Sequence, residues 1–167
     1  MVSNPFNAAV ITMSDSRSKS NEKLDLSGQT AIEQLKKHGY HIAEYQLISD
    51  DFDEITTTLK TLCDREVHLI LTTGGTGLSP RDNTPEATLA VIEKNVPGIS
   101  EAMRYHSLQI TPRAMLSRGV SGICNNTLII NLPGSPKAVK EILDYILPSI
   151  YHGLEVLNQR TSNCAVT

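Results

Sequence analysis

The chain has 167 residues, 40% of them apolar, enough to fill one core without disulfides or structural metal and too few for a second full domain. Its net charge of −3, from 15 basic and 18 acidic residues, excludes a nonspecific basic nucleic-acid binder, so any anionic ligand has to be met by local groups. No apolar run approaches the ~18 residues of a membrane span, and residues 1–7 lack a charged segment followed by an apolar one, so the cytoplasm is the expected address.

Short β-branched runs alternate with stretches of helical spacing, which predicts an α/β fold with a mostly parallel sheet. Residues 8–13 read as the first strand. A helix then opens at Ser27 as N-cap and stops at Gly39. A second strand fits 42–48, and Ile55, Leu59, Leu62 and Cys63 place one apolar stripe on a helix beginning near Asp51 to Asp53. Residues 67–73 are apolar almost throughout and read as a central strand.

After the glycines of 74–77, Thr84 and Pro85 read as N-cap and first residue of a helix running to about Asn95, broken by Pro97-Gly98. Helical spacing resumes over 99–108, and 114–116 fits neither period. Residues 120–124 and 127–132 flank Asn125-Asn126, a pair that tolerates positive φ and predicts a short antiparallel hairpin. A long apolar-periodic stretch, 139–157, is interrupted at Pro148, and the polar residues 160–167 read as a frayed tail. The whole chain reads as a single domain. Cys63, Cys124 and Cys164 are an odd number without a CxxC pair and read as buried thiols or a tail thiol.

In an open α/β sheet ligands sit where the parallel strands end and helices begin. Four loops predicted at strand ends carry unusual polar content: Ser14-Asp15-Ser16-Arg17, Ser49-Asp50-Asp51, Gly74-Gly75-Thr76-Gly77 through Arg81-Asp82, and Pro133-Gly134-Ser135 with Lys137. The triple-glycine run lets backbone N–H groups approach an oxyanion closely. Its spacing is neither a Walker loop nor a dinucleotide fingerprint, and alone it is as often a tight turn. Arg81-Asp82 adds a permanent cation and a carboxylate, which suits a metal-bound polyphosphate as well as a surface ion pair. Asp50 ends a neighbouring strand and is a candidate second oxygen ligand. Ser117-Arg118 adds another hydroxyl and cation. The five histidines lie outside these loops without metal-ligand spacing, and no GxSxG elbow is present. With two Phe, five Tyr and no Trp, none of them in these loops, a flavin site has no stacking group. A receiver domain would end its central strand in Asp, where this chain has Thr72-Thr73-Gly74.

The ordered set Thr72-Thr73-Gly74-Gly75-Thr76-Gly77, Arg81-Asp82, Thr84-Pro85-Glu86, Met115-Leu116-Ser117-Arg118 and Asn131-Leu132-Pro133-Gly134-Ser135-Pro136 resembles the molybdenum-cofactor biosynthesis family of the MogA/MoaB type and the G domains of gephyrin-like proteins. The resemblance covers about 8–157. It implies a three-layer α/β/α fold, trimeric or hexameric, that binds molybdopterin and Mg-ATP and transfers AMP to the pterin's terminal phosphate. It also leaves room for a noncatalytic molybdopterin carrier or scaffold in the same pathway, working with other proteins of cofactor synthesis. Carried over by position, Asp50 and Asp82 match the acidic catalytic and Mg²⁺-binding residues. Gly74, Gly75 and Gly77, with Pro133, Gly134 and Ser135, match nucleotide-binding segments, and Thr76 and Arg81 are read with them as cofactor-binding residues. Ser14, Asp15, Ser16, Arg17, Ser117 and Arg118 match positions toward the pterin.

Overall fold

A computed structural model describes residues 6–18 and 24–159, without the side chains of residues 17 and 18. The Arg17 expectation therefore falls on a side chain outside the described set, as do the tail 160–167 and Cys164. The elements follow as β1 (Asn7–Met13), α1 (Asp15–Ser18), α2 (Leu26–Lys37), β2 (His41–Ile48), α3 (Phe52–Asp64), β3 (Leu69–Thr73), α4 (Thr84–Leu89), β4 (Lys94–Asn95), α5 (Pro97–Leu108), a 3-10 turn (Pro112–Leu116), β5 (Ser121–Cys124), β6 (Thr127–Leu132) and α6 (Pro136–Leu157).

One six-stranded sheet has the order β2-β1-β3-β6-β5-β4. The pairs β2·β1, β1·β3 and β3·β6 are parallel, while β6·β5 and β5·β4 are antiparallel. Strands β1, β3 and β6 are buried on both faces, which explains their continuous apolar runs. Alternation along each strand then sorts side chains into two cores. Val10, Leu71 and Ile130 meet α2, α5 and α6 on one face, whereas Ile11, Ile70 and Ile129 meet α3 and α4 on the other. The expected three layers, with an antiparallel hairpin turning at Asn125 (φ 53°), are present. Among the described residues no helix is long and apolar enough to cross a membrane.

The elements depart from the sequence expectations in five places; Thr84, read as the N-cap of α4, is its first residue, with Asn83 at the cap position. Helix α2 is capped by Asp25, not Ser27. Helix α4 ends at Leu89, and the chain then joins the sheet edge through Glu93 N–H to Ile123 O (2.8 Å) and Val96 N–H to Ser121 O (2.9 Å). Gly122 makes that edge approachable, because a Cβ there would lie 2.5 Å from Ile92 Cδ1 and 2.7 Å from Lys94 O. Pro97 starts α5, where its missing N–H is an orphan anyway. Helix α6 runs through Pro148, held by Leu143 and Leu147 before it and Ile150 and Leu154 after it, all packed on one core.

Candidate active site at the carboxyl edge of the sheet

The parallel strands β1, β2, β3 and β6 end side by side, so the four polar loops predicted from sequence lie along one edge. After β1 and β2, Asp15 N–H donates to Asp50 Oδ2 at 2.9 Å, and Asp50 N–H donates to Asp15 Oδ1 at 3.0 Å. Arg81 closes the group from the β3 loop. Its Nε donates to Asp15 Oδ2 at 2.8 Å and its Nη2 to Asp15 Oδ1 at 3.0 Å, a two-pronged fork. The half-buried Asp50 carboxyl is pushed above the usual carboxylate range by burial and by the charges of Asp15 and Asp82. The Asp15 N–H and the Arg81 guanidinium pull it the other way. Asp82 is thus close enough for its charge to be felt at Asp50. Its own Oδ2 accepts the Ser79 N–H at 3.1 Å.

The glycines are required by crowding. Gly75 has φ 64°, and a Cβ on it would sit 2.3 Å from Thr84 Oγ1 and 3.0 Å from Asp50 Oδ1. Gly74, at φ 87°, would bring a Cβ to 2.6 Å from Met13 O, and Gly77 one to 2.8 Å from Asp82 Oδ2. The loop after β6 joins them, since a Cβ on Gly134 would lie 3.5 Å from Gly74 Cα. Gly74, Gly75 and Gly77 remain partly open to solvent, whereas Thr76 is buried.

Three side chains tie this loop, α4 and the chain after β2 together. Thr84 donates its hydroxyl to Gly74 O at 3.0 Å, and Asn83 donates to Asp50 O at 3.0 Å. Arg118 turns inward. Its Nε donates to Gly77 O and its Nη2 to Asp82 O, both at 2.7 Å, while its guanidinium pairs with the Glu86 carboxylate and lowers that group's pKa. Its own N–H donates to Thr76 O at 2.8 Å. Every described contact of Arg118 is therefore with the glycine loop and α4.

The remaining candidates are more dispersed. Ser14 and Ser16 hydroxyls lie 3.3 Å apart beside Asp15. Ser135 caps α6 by accepting the Ala138 N–H at 3.4 Å. Ser117 lines a separate cavity of about 190 Å³ with Ser107, Thr111, Arg113 and Pro133, floored by Met103 and Ile142. Pro133 lies both in this lining and in the loop beside Gly74, so the cavity adjoins the glycine loop.

Sequence reading missed Asn83 and Thr84 as loop anchors, and Asp25 with Tyr45. The Asp25 carboxylate accepts from Gly28 N–H at 3.0 Å, Ser27 Oγ at 3.0 Å and the Tyr45 hydroxyl at 2.8 Å. Burial alone would raise its pKa, but these donors hold it below the ordinary value. The available signal was an acidic residue just ahead of a helix start.

Residues 9–152 match the family described as "Probable molybdopterin binding domain". The chain is 42% identical over 151 residues to the molybdopterin adenylyltransferase of Helicobacter pylori strain J99, covering 89% of this chain and 85% of that protein. It is 50% identical over 117 residues to the Haemophilus influenzae protein of the same name, covering 70% of this chain and 59% of that one. The crystal structure of the molybdopterin biosynthesis enzyme MoaB from Thermus thermophilus superposes with a TM-score of 0.86 at 42% identity, covering 92% of this chain and 97% of that one.

Proposed function

The chain belongs to the molybdopterin-binding domain family of molybdenum cofactor biosynthesis, and from that premise we propose that it is a nucleotidyltransferase, a molybdopterin adenylyltransferase converting molybdopterin and Mg-ATP to adenylylated molybdopterin and pyrophosphate. The observation that carries this reading is the meeting of Asp50, Arg81, Asp82 and the Gly74-Gly75 backbone at one sheet edge, in a chain closely similar to enzymes of that name.

In this reaction a terminal phosphate oxygen of the pterin bonds to the α-phosphorus of ATP. The bond from that phosphorus to the oxygen bridging toward the β-phosphorus breaks, and pyrophosphate leaves with the electron pair. The attacking phosphate is already ionised near neutral pH, so no side chain has to take a proton. The barrier lies in bringing two anions together in line. Backbone N–H groups of the glycine loop, the Arg81 guanidinium and the loop 133–135 supply the donors. Gly74 and Gly75, free of side chains, let phosphate oxygens approach the backbone.

The divalent ion arrives with ATP, and Asp50 and Asp82 suit it. Burial first, and then the charges of Asp15 and Asp82, raise the Asp50 carboxyl, so a cation there would relieve the repulsive part. Among the described residues no three His, Cys, Asp or Glu side chains gather into a metal cage. Mg²⁺ held by one or two carboxylates and phosphate oxygens needs none. The cavity at Ser117, with its apolar floor and polar rim, supports the pterin lying on that side. The apolar side chains Tyr105, Leu108, Ile110, Met115 and Leu116 are exposed, which supports a homotrimer or homohexamer. A cytoplasmic setting beside other enzymes of cofactor synthesis fits the chemistry.

Pyrophosphate release tests the reading. It is expected only when molybdopterin and Mg-ATP are both present; tight pterin binding without release would identify a carrier instead.

A further inference from the structure

Asp25 takes no part in the chemistry above, yet it is built into the fold in a way that helix capping does not require. The residue is only 5% exposed. The caps of α3 and α6, Asp51 and Ser135, do the same work at exposed positions. Burying an ionised carboxylate is unfavourable unless its lone pairs are met. Asp25 also demands a glycine in the first turn of α2, because a Cβ on Gly28 would lie 2.1 Å from Asp25 Oδ2 and 2.7 Å from Thr12 Oγ1. Glycine weakens a helix.

What this arrangement achieves is directional wiring. An ionised carboxylate only accepts, so Ser27 donates its single proton to it and keeps its oxygen as an acceptor. Thr73 Oγ1 lies 3.3 Å from Ser27 Oγ and 3.0 Å from Thr12 Oγ1, so Thr73 donates to Ser27 and its own oxygen accepts from Thr12. One buried charge thus sets the direction of the whole hydroxyl chain. The Tyr45 hydroxyl ties β2 to the same point. Thr12 is the penultimate residue of β1 and Thr73 the last of β3, the strands from which Ser14-Asp15 and Gly74-Gly75 depart. Gly74 sits so close to Met13 O that a small slip between these strands would displace the loop.

We propose that Asp25 is a positioning residue, which acts through Ser27, Thr73 and Thr12 to fix the glycine loop against the Asp15–Asp50 pair in the geometry that AMP transfer needs. The inference rests on the adenylyltransferase reading for its catalytic consequence, and on the hydroxyl wiring alone for its structural one.

The test compares Asp25→Asn, whose amide donates and so reverses the wiring, with the near-isosteric Thr73→Val, and with Leu59→Ala as a core variant remote from the site. Hydrogen exchange in peptides spanning 73–77 is expected to quicken about tenfold in Asp25→Asn and in Thr73→Val, with peptides of α3 unchanged. Pyrophosphate release is expected to lose about 10- to 100-fold in kcat in each single variant, with KM for molybdopterin within about threefold. Adding Asp25→Asn to Thr73→Val should cost less than about threefold more, because both break one chain of hydrogen bonds. Leu59→Ala is expected to lower Tm while kcat of the folded protein stays within about twofold. Unchanged loop exchange, faster exchange with unchanged kcat, or independent multiplication of the two losses would each overturn the proposal. If Asp25→Asn does not fold, Tyr45→Phe takes its place with the same outcomes in milder form. If the wild type releases no pyrophosphate, the adenylyltransferase reading fails, and the exchange arm still decides whether Asp25 holds the loop.

Discussion

Asp15 and Asp50 each accept the other's backbone N–H, at 3.0 and 2.9 Å. This clasp joins the ends of β1 and β2 and leaves two carboxylates side by side, with the Arg81 fork serving only Asp15. Among the described residues no cation forms an ion pair with Asp50.

The charge on Asp50 has a catalytic consequence. Asp50→Asn and Asp82→Asn are each expected to lower kcat for pyrophosphate release about 10²-fold, with molybdopterin affinity changed less than about threefold. Steady-state kinetics at saturating Mg-ATP, with pterin binding measured separately, checks the split. Equal losses in turnover and pterin affinity would count against the assignment.

It also has a consequence for stability. Burial first, then the Asp15 and Asp82 charges, raise the Asp50 pKa above its unfolded value, so its contribution to folding is most favourable in acid and is lost as pH rises through the raised folded value. Removing the charge should abolish the trend. Asp50→Asn is expected to match the wild type near pH ~4 and to exceed its Tm by a few degrees at neutral pH. Mg²⁺ should raise the wild-type Tm and leave the variant's nearly unchanged. Thermal melts across pH, with and without the ion, measure both.

Arg118 makes a different prediction. Its fork holds two loop carbonyls and Glu86 at once, which one ammonium cannot reproduce. Arg118→Met is expected to cost about 1–2 kcal/mol in stability, or ~3–6 °C in Tm. Arg118→Lys should recover less than half of that and little of the lost turnover. A lysine variant with wild-type kcat and Tm would show that charge alone suffices.

Two glycine substitutions should act in opposite directions. Gly75→Ala forces a Cβ between Thr84 and Asp50 at positive φ and is expected to abolish turnover and lower Tm. Gly153→Ala, inside α6 with open space around it, should instead stabilise by about 0.5–1 kcal/mol with kcat unchanged. Calorimetry of the two variants checks the contrast.

Most of this architecture is legible in the chain. The runs before Ser14, Gly74 and Pro133 are read as strands because β1, β3 and β6 are buried on both faces, and their loops gather with that of β2 because parallel strands share a carboxyl edge. Strand β4 is not legible, since its two residues pair only because Gly122, far along the chain, lets them close in. Pro148 is read as a break because local propensity disfavours it, while the packing of Leu147 and Ile150 overrides that locally. The partners of Arg81 and Arg118 are hidden for the same reason: Asp15 lies 66 residues from Arg81, and Glu86 lies 32 from Arg118. Spacing along the chain says nothing about which carboxylate a guanidinium will face.

The most direct measurement follows the label from ATP marked at its α-phosphorus. The wild type should place it on molybdopterin in one-to-one ratio with pyrophosphate released, only with Mg²⁺ present, and an Asp50→Asn plus Asp82→Asn double variant should transfer almost none. Label transferred equally by the double variant would contradict the account, as would wild-type protein that binds both compounds and transfers nothing.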